Sequence, residues 1–386
     1  MRTTFIHREP GFSLTELLVG MAMGVIVLLI VMQSLSTAEQ YKRTATNGSD
    51  AQTNGLMALR ALESEVRMAG AGTINGANLC PSINAYYSGT GITSKVGMPV
   101  RITDGATSAL NFSDSIEIVY SSSLTGSAPS HITVDMPTPS NVTRVNNVSG
   151  MNVCDFVLFA STDGSKACTM LQITSVGNNQ MQFLTSSGQS RYDPPGGQQG
   201  ALFPPGGYST DDIIINMGKN VDRKYLVVKD GTNDQFYLQQ NNVSAAPDGC
   251  STPDANPQLN MVSNVVNIQA QYGVANANSQ EVNCWTSAAA SDTGCSISTG
   301  DWSAPVAVDV NRIKALRVAV VVRSAIAEKP SSGATCDTTT TTSNNFPISW
   351  EGGPAITLTH VPNWQCYRYK VYQTVIPIIN VIWANI

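Results

Sequence analysis

The feature that most constrains this chain is the apolar run Phe12–Met32, 21 residues interrupted only by Ser13, Thr15 and Glu16. At about 1.5 Å of rise per residue, a helix of that length covers the roughly 30 Å hydrocarbon layer of a membrane. Arg2 and Arg8 precede the run, while Lys42 and Arg43 follow it, so charge alone orients it only weakly. A secretory signal peptide predicts a shorter apolar stretch ending at an Ala-x-Ala-like cleavage site, and the run here continues instead as helix. A plain anchor gives no reason for the carboxylate of Glu16 just inside the apolar start. Such a group is costly in lipid and marks a function. Its natural partner is a cation, supplied by another chain or by a newly made N-terminus.

The segment Gly11-Phe12-Ser13-Leu14-Thr15-Glu16-Leu17 resembles the processing motif of type IV pilins and pseudopilins. The resemblance implies that a prepilin peptidase cuts after Gly11 and that the new terminal residue, Phe12, is N-methylated. Glu16 then becomes the fifth residue of the mature chain, where the family's glutamate pairs with the terminal amine of a neighbouring subunit. A buried carboxylate and an ammonium offset one another's desolvation only when they meet, which agrees with that role. Gly20 and Gly24 form a small-xxx-small pair that lets helices approach closely.

Beyond the run, Leu56, Leu59, Leu62, Val66 and Ala69 recur at spacings of three and four, one apolar stripe of an amphipathic helix. Gly70 and Gly72 predict its stop. Asn47–Asn54, flanked by Gly48 and Gly55, is a poor helix former and predicts a kink or local break.

From residue 73 onward the pattern becomes short strand-like runs divided by Gly, Pro, Asn and Ser. The expected strands include Ser115–Tyr120, Asp155–Ala160, Met170–Val176, Asp212–Asn216, Lys224–Lys229, Gln235–Gln239, Val262–Val274, Ile313–Arg323 and Tyr367–Ile376. No crossover helices separate them, so a doubly wound parallel sheet is disfavoured. The expected fold class is α+β and pilin-like: a long N-terminal α-helix on a large, mostly antiparallel β-sheet domain with long loops. The expected divisions are a leader at 1–11, a membrane or filament-core helix at 12–35, its amphipathic continuation at 36–72, and a β-rich head at 73–386. Two Pro-Pro-Gly-Gly sequences mark Gln189–Thr210 as an exposed loop, which would divide the head into two sub-domains. Val375–Ile386 is apolar but too short and too interrupted to span a bilayer, and is expected to be a closing strand with Pro377 at an edge or boundary.

Three further segments resemble PilW-type minor pilins: Leu62–Gly70, Val262–Val274, and Trp302 followed by Ile313–Ser324. The ending differs from that family's usual Arg-Asn close.

The eight cysteines, Cys80, Cys154, Cys168, Cys250, Cys284, Cys295, Cys336 and Cys366, all follow the apolar run. Outside the cytoplasm an even set implies disulfides. Nearest neighbours give Cys154–Cys168, Cys284–Cys295 and Cys336–Cys366, leaving Cys80 with Cys250. Zinc needs closely spaced Cys-x-x-Cys pairs or neighbouring histidines, and only His131 and His360 follow the leader. No nucleophile elbow, phosphate-binding loop or dinucleotide fingerprint occurs, so no catalytic residue, metal or cofactor is expected. With 22 basic against 27 acidic residues and a net charge of -5, nonspecific nucleic-acid binding is disfavoured. A local patch of Arg312, Lys314, Arg317 and Arg323 is the one place for it, on strand positions expected to face solvent. The five tryptophans read as core or loop anchors.

The resemblance thus implies a minor pilin that is made in the inner membrane, has its head in the periplasm, and is later carried into a type IV pilus on the cell surface. The size of the head suits a priming or tip position. Implied partners are the prepilin peptidase/N-methyltransferase, other minor and major pilins, the inner-membrane assembly platform, membrane lipid and a tip adhesin. The alternatives are a pseudopilin of a type II secretion system, or an adhesive or DNA-uptake module at a pilus tip.

Overall fold

The computed structural model describes residues 13–383 apart from 76–77, 88–89, 106–112, 124–127, 137–140, 184–191, 196–198, 220, 232–233, 244–257, 290–294, 296–300, 329–335, 337, 340–347 and 354. The predicted cleavage residues Gly11 and Phe12, and Cys250, lie outside the described residues. Residues 1–50 and 51–386 form separate compact units.

A single helix runs from Leu14 to Met68. The break expected at Asn47–Asn54 is absent: this stretch is helical throughout, because the apolar stripe of the following turns outweighs the weak propensity of a few polar residues. Within the second unit, Leu62, Val66 and Ala69 of the expected stripe are fully buried and Leu59 is partly so, but Leu56 is 53 % exposed and Ala58 is buried in the packed face instead. The helix ends where Gly70 and Gly72 take positive φ angles of 81° and 77°. The Gly70 N–H then leaves the helix pattern to donate to Val119 O at 2.9 Å.

Three larger sheets make up the head. The four-stranded sheet is fully antiparallel, in the order Val282–Thr286, Val265–Ala275, Ile313–Arg323, Tyr369–Pro377. The five-stranded sheet is antiparallel too, in the order Gln258–Ser263, Phe236–Asn242, Val221–Lys229, Ser115–Tyr120, Val100–Thr103. The six-stranded sheet orders Gly91–Lys95, Ile83–Tyr87, Cys168–Gln172, Phe156–Ala160, Ile213–Gly218 and Pro129–His131. One of its pairings is parallel, Cys168–Gln172 with Ile83–Tyr87. Two small sheets, of three and two strands, complete the described β structure.

The largest core joins the buried helix stripe to Ile116 and Ile118 of the five-stranded sheet and to Tyr272, Val318 and Val320 of the four-stranded one. Strands Val265–Ala275 and Ile313–Arg323 are buried on both faces. Their near-continuous apolar sequences follow from that, since neither face needs polar residues.

Two expectations are corrected. The run Val262–Val274 is two strands, because Asn264 adopts a left-handed φ of 63° and hands the chain from the five-stranded to the four-stranded sheet. Asparagine tolerates that conformation through its short polar side chain. Within Gln189–Thr210, read as an exposed loop, Leu202, Phe203 and Tyr208 are buried in a second core beneath the six-stranded sheet. The Tyr208 hydroxyl donates to Ala167 O at 2.8 Å. The second Pro-Pro-Gly-Gly sequence closes a turn, its Gly207 N–H donating to Pro204 O at 2.9 Å, but proline and glycine gave no sign of the apolar anchors beside it.

Candidate functional site

The helix begins with a reciprocal cap. The Ser13 N–H donates to Glu16 Oε2 at 3.0 Å, and the Glu16 N–H donates to Ser13 Oγ at 3.2 Å. This capping box satisfies two donors that a helix start leaves without partners. Ser13 is the residue that the sequence reading missed, although Ser-x-x-Glu ahead of an apolar run is its signal. Glu16 is therefore held at the first turn, its carboxylate folded back onto the start of its own helix.

Leu14–Glu39 is long and apolar enough to cross a membrane, with mean hydropathy 2.5 and none of it buried. Each large apolar side chain from Leu14 to Leu35 is at least 50 % exposed. In water so continuous a patch is untenable, and it requires lipid or other helices. Glu16, Gly20 and Gly24 follow at intervals of four, which places them in one row along the helix. Around a methyl added at Gly20 or Gly24 there is open space, so the row is a shallow groove with the carboxylate at its head.

Polar joints fix the later turns of the helix to the head. Glu65 meets Arg223 and Tyr120 of the five-stranded sheet. Asn54 Nδ2 donates to Ser263 Oγ at 3.4 Å, and Asn380 Nδ2 donates to Ala69 O at 2.9 Å. Gly55 lies directly against the ring of Tyr372 in the strand Tyr369–Pro377.

The basic cluster expected to face solvent does not form a patch. Lys314 and Arg323 are each 3 % exposed. Arg323 stacks on Tyr367 at 4.3 Å and donates to Asp234 O at 2.7 Å. Burial pulls the Lys314 ammonium below its usual pKa. Arg317 lies between the rings of Trp285 and Trp350, at 4.7 and 5.3 Å, and bonds to Gln271 Oε1 and Gly352 O. Arg312 is tied to Asp309 and Ala275 O. Single-sequence reading sees the charges but not the aromatic rings that enclose them.

Among the described residues, no group of three or more His, Cys, Asp or Glu is placed to hold a metal ion. Disulfides join Cys80 to Cys168, Cys284 to Cys295 and Cys336 to Cys366; Cys154 is disulfide-bonded as well. The expected pairs Cys154–Cys168 and Cys80–Cys250 are thus corrected. The parallel strand pairing aligns Cys168 with Ile83 and brings Cys80 within a Cα–Cα distance of 5.6 Å, a contact sequence spacing cannot reveal.

Residues 224–380 match the family model described as Type IV Pilus-assembly protein W. The likeness to the PilW family is confined to that region, which is less than half of the chain. No curated protein and no solved structure matches it. The PilW region takes in the entire four-stranded sheet and the outer three strands of the five-stranded sheet, beginning within Val221–Lys229. It therefore contains Arg317 with both of its tryptophans, Asn264, and the Cys284–Cys295 and Cys336–Cys366 bridges. The six-stranded sheet and the N-terminal helix lie outside it.

Proposed function

We propose that this chain is a minor pilin that acts in a priming or tip complex of a type IV pilus. The PilW match and the pilin-like plan support a general role in pilus assembly. The observation that carries the reading as an assembling subunit is the exposed apolar helix Leu14–Glu39 with its row Glu16, Gly20, Gly24. The helix serves first as a single inner-membrane anchor, with the head in the periplasm, and later as the part that packs in the fibre. Processing by the prepilin peptidase after Gly11, and methylation of Phe12, give the terminus that assembly needs. The partners are other minor and major pilins, the assembly platform and a tip adhesin. Function is structural: subunits act by packing. The bulky head suits a position used once per fibre rather than along its shaft.

The test is peptide mass spectrometry of the N-terminus in fibres sheared from cells and in the membrane fraction. A peptide beginning at N-methylated Phe12 in sheared fibres is the expected result. The same peptide confined to membranes favours a pseudopilin or a subunit that never leaves, and a chain still carrying residues before Gly11 in every fraction overturns the reading.

A further inference from the structure

A cavity of about 480 Å³ lies between the six-stranded and five-stranded sheets, entirely within the head. That volume falls in the range of small-molecule sites. Its floor is the inner face of the six-stranded sheet, where Ile83, Leu158 and Met170 give an apolar base. Tyr192 packs 5.5 Å from Tyr87 and 4.8 Å from Phe156, and the three rings form an aromatic wall. The opposite side is built by strand alternation. Ile116, Ile118 and Tyr120 turn into the main core, so Glu117 and Val119 face the cavity. Strand register sets Arg101 opposite Glu117 and Asp222 opposite Val119. Arg101 Nη1 lies 3.5 Å from Glu117 Oε1. Asp222 Oδ1 is buried and accepts no hydrogen bond from the protein. Lys95 also lines the cavity, from the edge strand Gly91–Lys95.

We propose that this cavity is a binding site for a neutral saccharide. Lys95 and Arg101 stand against Glu117 and an Asp222 carboxyl that burial leaves only partly ionised near neutral pH, so the lining carries no strong net charge of either sign. Its cationic donors and carboxyl groups enter from both sheets, Lys95 from the six-stranded one and Arg101, Glu117 and Asp222 from the five-stranded one, and sugar hydroxyls, which both donate and accept, satisfy such a mixed set. Asp222 brings a carboxyl group to this lining from the strand Val221–Lys229. The tyrosine faces pack against the C–H face of a sugar ring, and the apolar base takes a methyl or acetyl substituent. A fatty chain makes no hydrogen bond with the Lys95 and Asp222 side chains, and a nucleotide sets phosphate against the carboxyl groups of Glu117 and Asp222.

The desolvation of Asp222 and its nearness to Glu117 agree with this chemistry, since both hold its carboxyl up to about 7 and allow it to donate as well as accept. Of the lining residues only Val243 falls within the family match, and the proposal does not depend on a fibre position.

The test is binding of the full-length protein, purified in detergent, to an array of neutral mono- to tetrasaccharides, with N-acetylated and deoxy sugars beside sialylated and uronic ones. The expected result is saturable binding to neutral members, weakened at least about tenfold by Asp222→Ala and by Tyr192→Ala. Thr93→Trp, on the tolerant edge strand, fills the cavity from its rim and abolishes binding while circular dichroism stays unchanged. Absence of any neutral-sugar binding at millimolar concentration, preference for charged sugars, or binding indifferent to Thr93→Trp overturns the proposal.

Discussion

Glu65 Oε1 accepts a hydrogen bond from Arg223 Nη1 at 2.8 Å, and the Tyr120 hydroxyl donates to Glu65 Oε2 at 2.9 Å. This triangle ties the helix to two strands of the five-stranded sheet, and both members of the ion pair are partly buried. Glu65→Ala leaves a guanidinium and a phenol without their acceptor and is expected to cost about 1–3 kcal/mol. The exposed pair Glu63–Arg67 is also 2.8 Å long, yet Glu63→Ala should cost no more than about 0.5 kcal/mol. Urea midpoints of the two variants measure the difference, and equal losses refute the distinction.

Stability should fall as pH rises between about 4 and about 7. Burial raises the carboxyl groups of Asp114 and Asp222 from 3.8 to about 7 in the folded chain. In that window the folded state holds protons that the unfolded state has lost, so raising pH favours unfolding. Asp222→Asn removes one of the two contributions and should flatten the profile measured by denaturant titration. Asp114→Asn is a harsher change, because Asp114 accepts the backbone N–H groups of both Gly105 and Ala270.

The disulfides should differ in worth by the chain they close. Cys80–Cys168 spans 88 residues and Cys284–Cys295 spans 11. Chain-entropy reasoning gives about 5 kcal/mol for the first and about 3 kcal/mol for the second. Paired Cys→Ser variants, compared by thermal unfolding, should rank in that order.

Gly55→Ala should destabilise the head even though alanine is the better helix former. A Cβ at this position overlaps the Tyr372 ring, and overpacking costs about 1–3 kcal/mol. In a Tyr372→Ala background the same change should instead stabilise by about 0.5–1 kcal/mol. The sign reversal is read from a double-mutant cycle.

Arg317→Lys should not be conservative. Lysine cannot stack as a flat group between Trp285 and Trp350 while also reaching Gln271 and Gly352. A loss of about 1–2 kcal/mol is expected, with a change in near-ultraviolet circular dichroism from the two indoles.

Much of this architecture was legible from local signals. The helix stripe ending at Gly70, the strands around Ser115–Tyr120 and Ile313–Arg323, and Pro377 at the end of an edge strand all follow from period, turn chemistry and the missing N–H of proline. What escaped depends on contacts distant in sequence. The strands Ile83–Tyr87 and Gly91–Lys95 have little apolar alternation of their own and form by pairing into a sheet assembled elsewhere. The cysteine partners follow that same pairing. Arg317 and Arg323 look like surface charge until the rings from other strands are placed around them. At the helix start the motif was plain, but Ser13 required attention to backbone donors rather than to the family's glutamate.

The parallel pairing of Ile83–Tyr87 with Cys168–Gln172 also sets a schedule. As the chain emerges, its first long strands cannot be covered until the partners locked by the 88-residue Cys80–Cys168 link arrive. Non-local pairing of this kind slows folding and leaves edges open to other chains. The head is therefore expected to fold slowly and to need oxidation after residue 168 has been made, and its yield in a heterologous host should track the supply of disulfide catalysts more closely than the rate of synthesis.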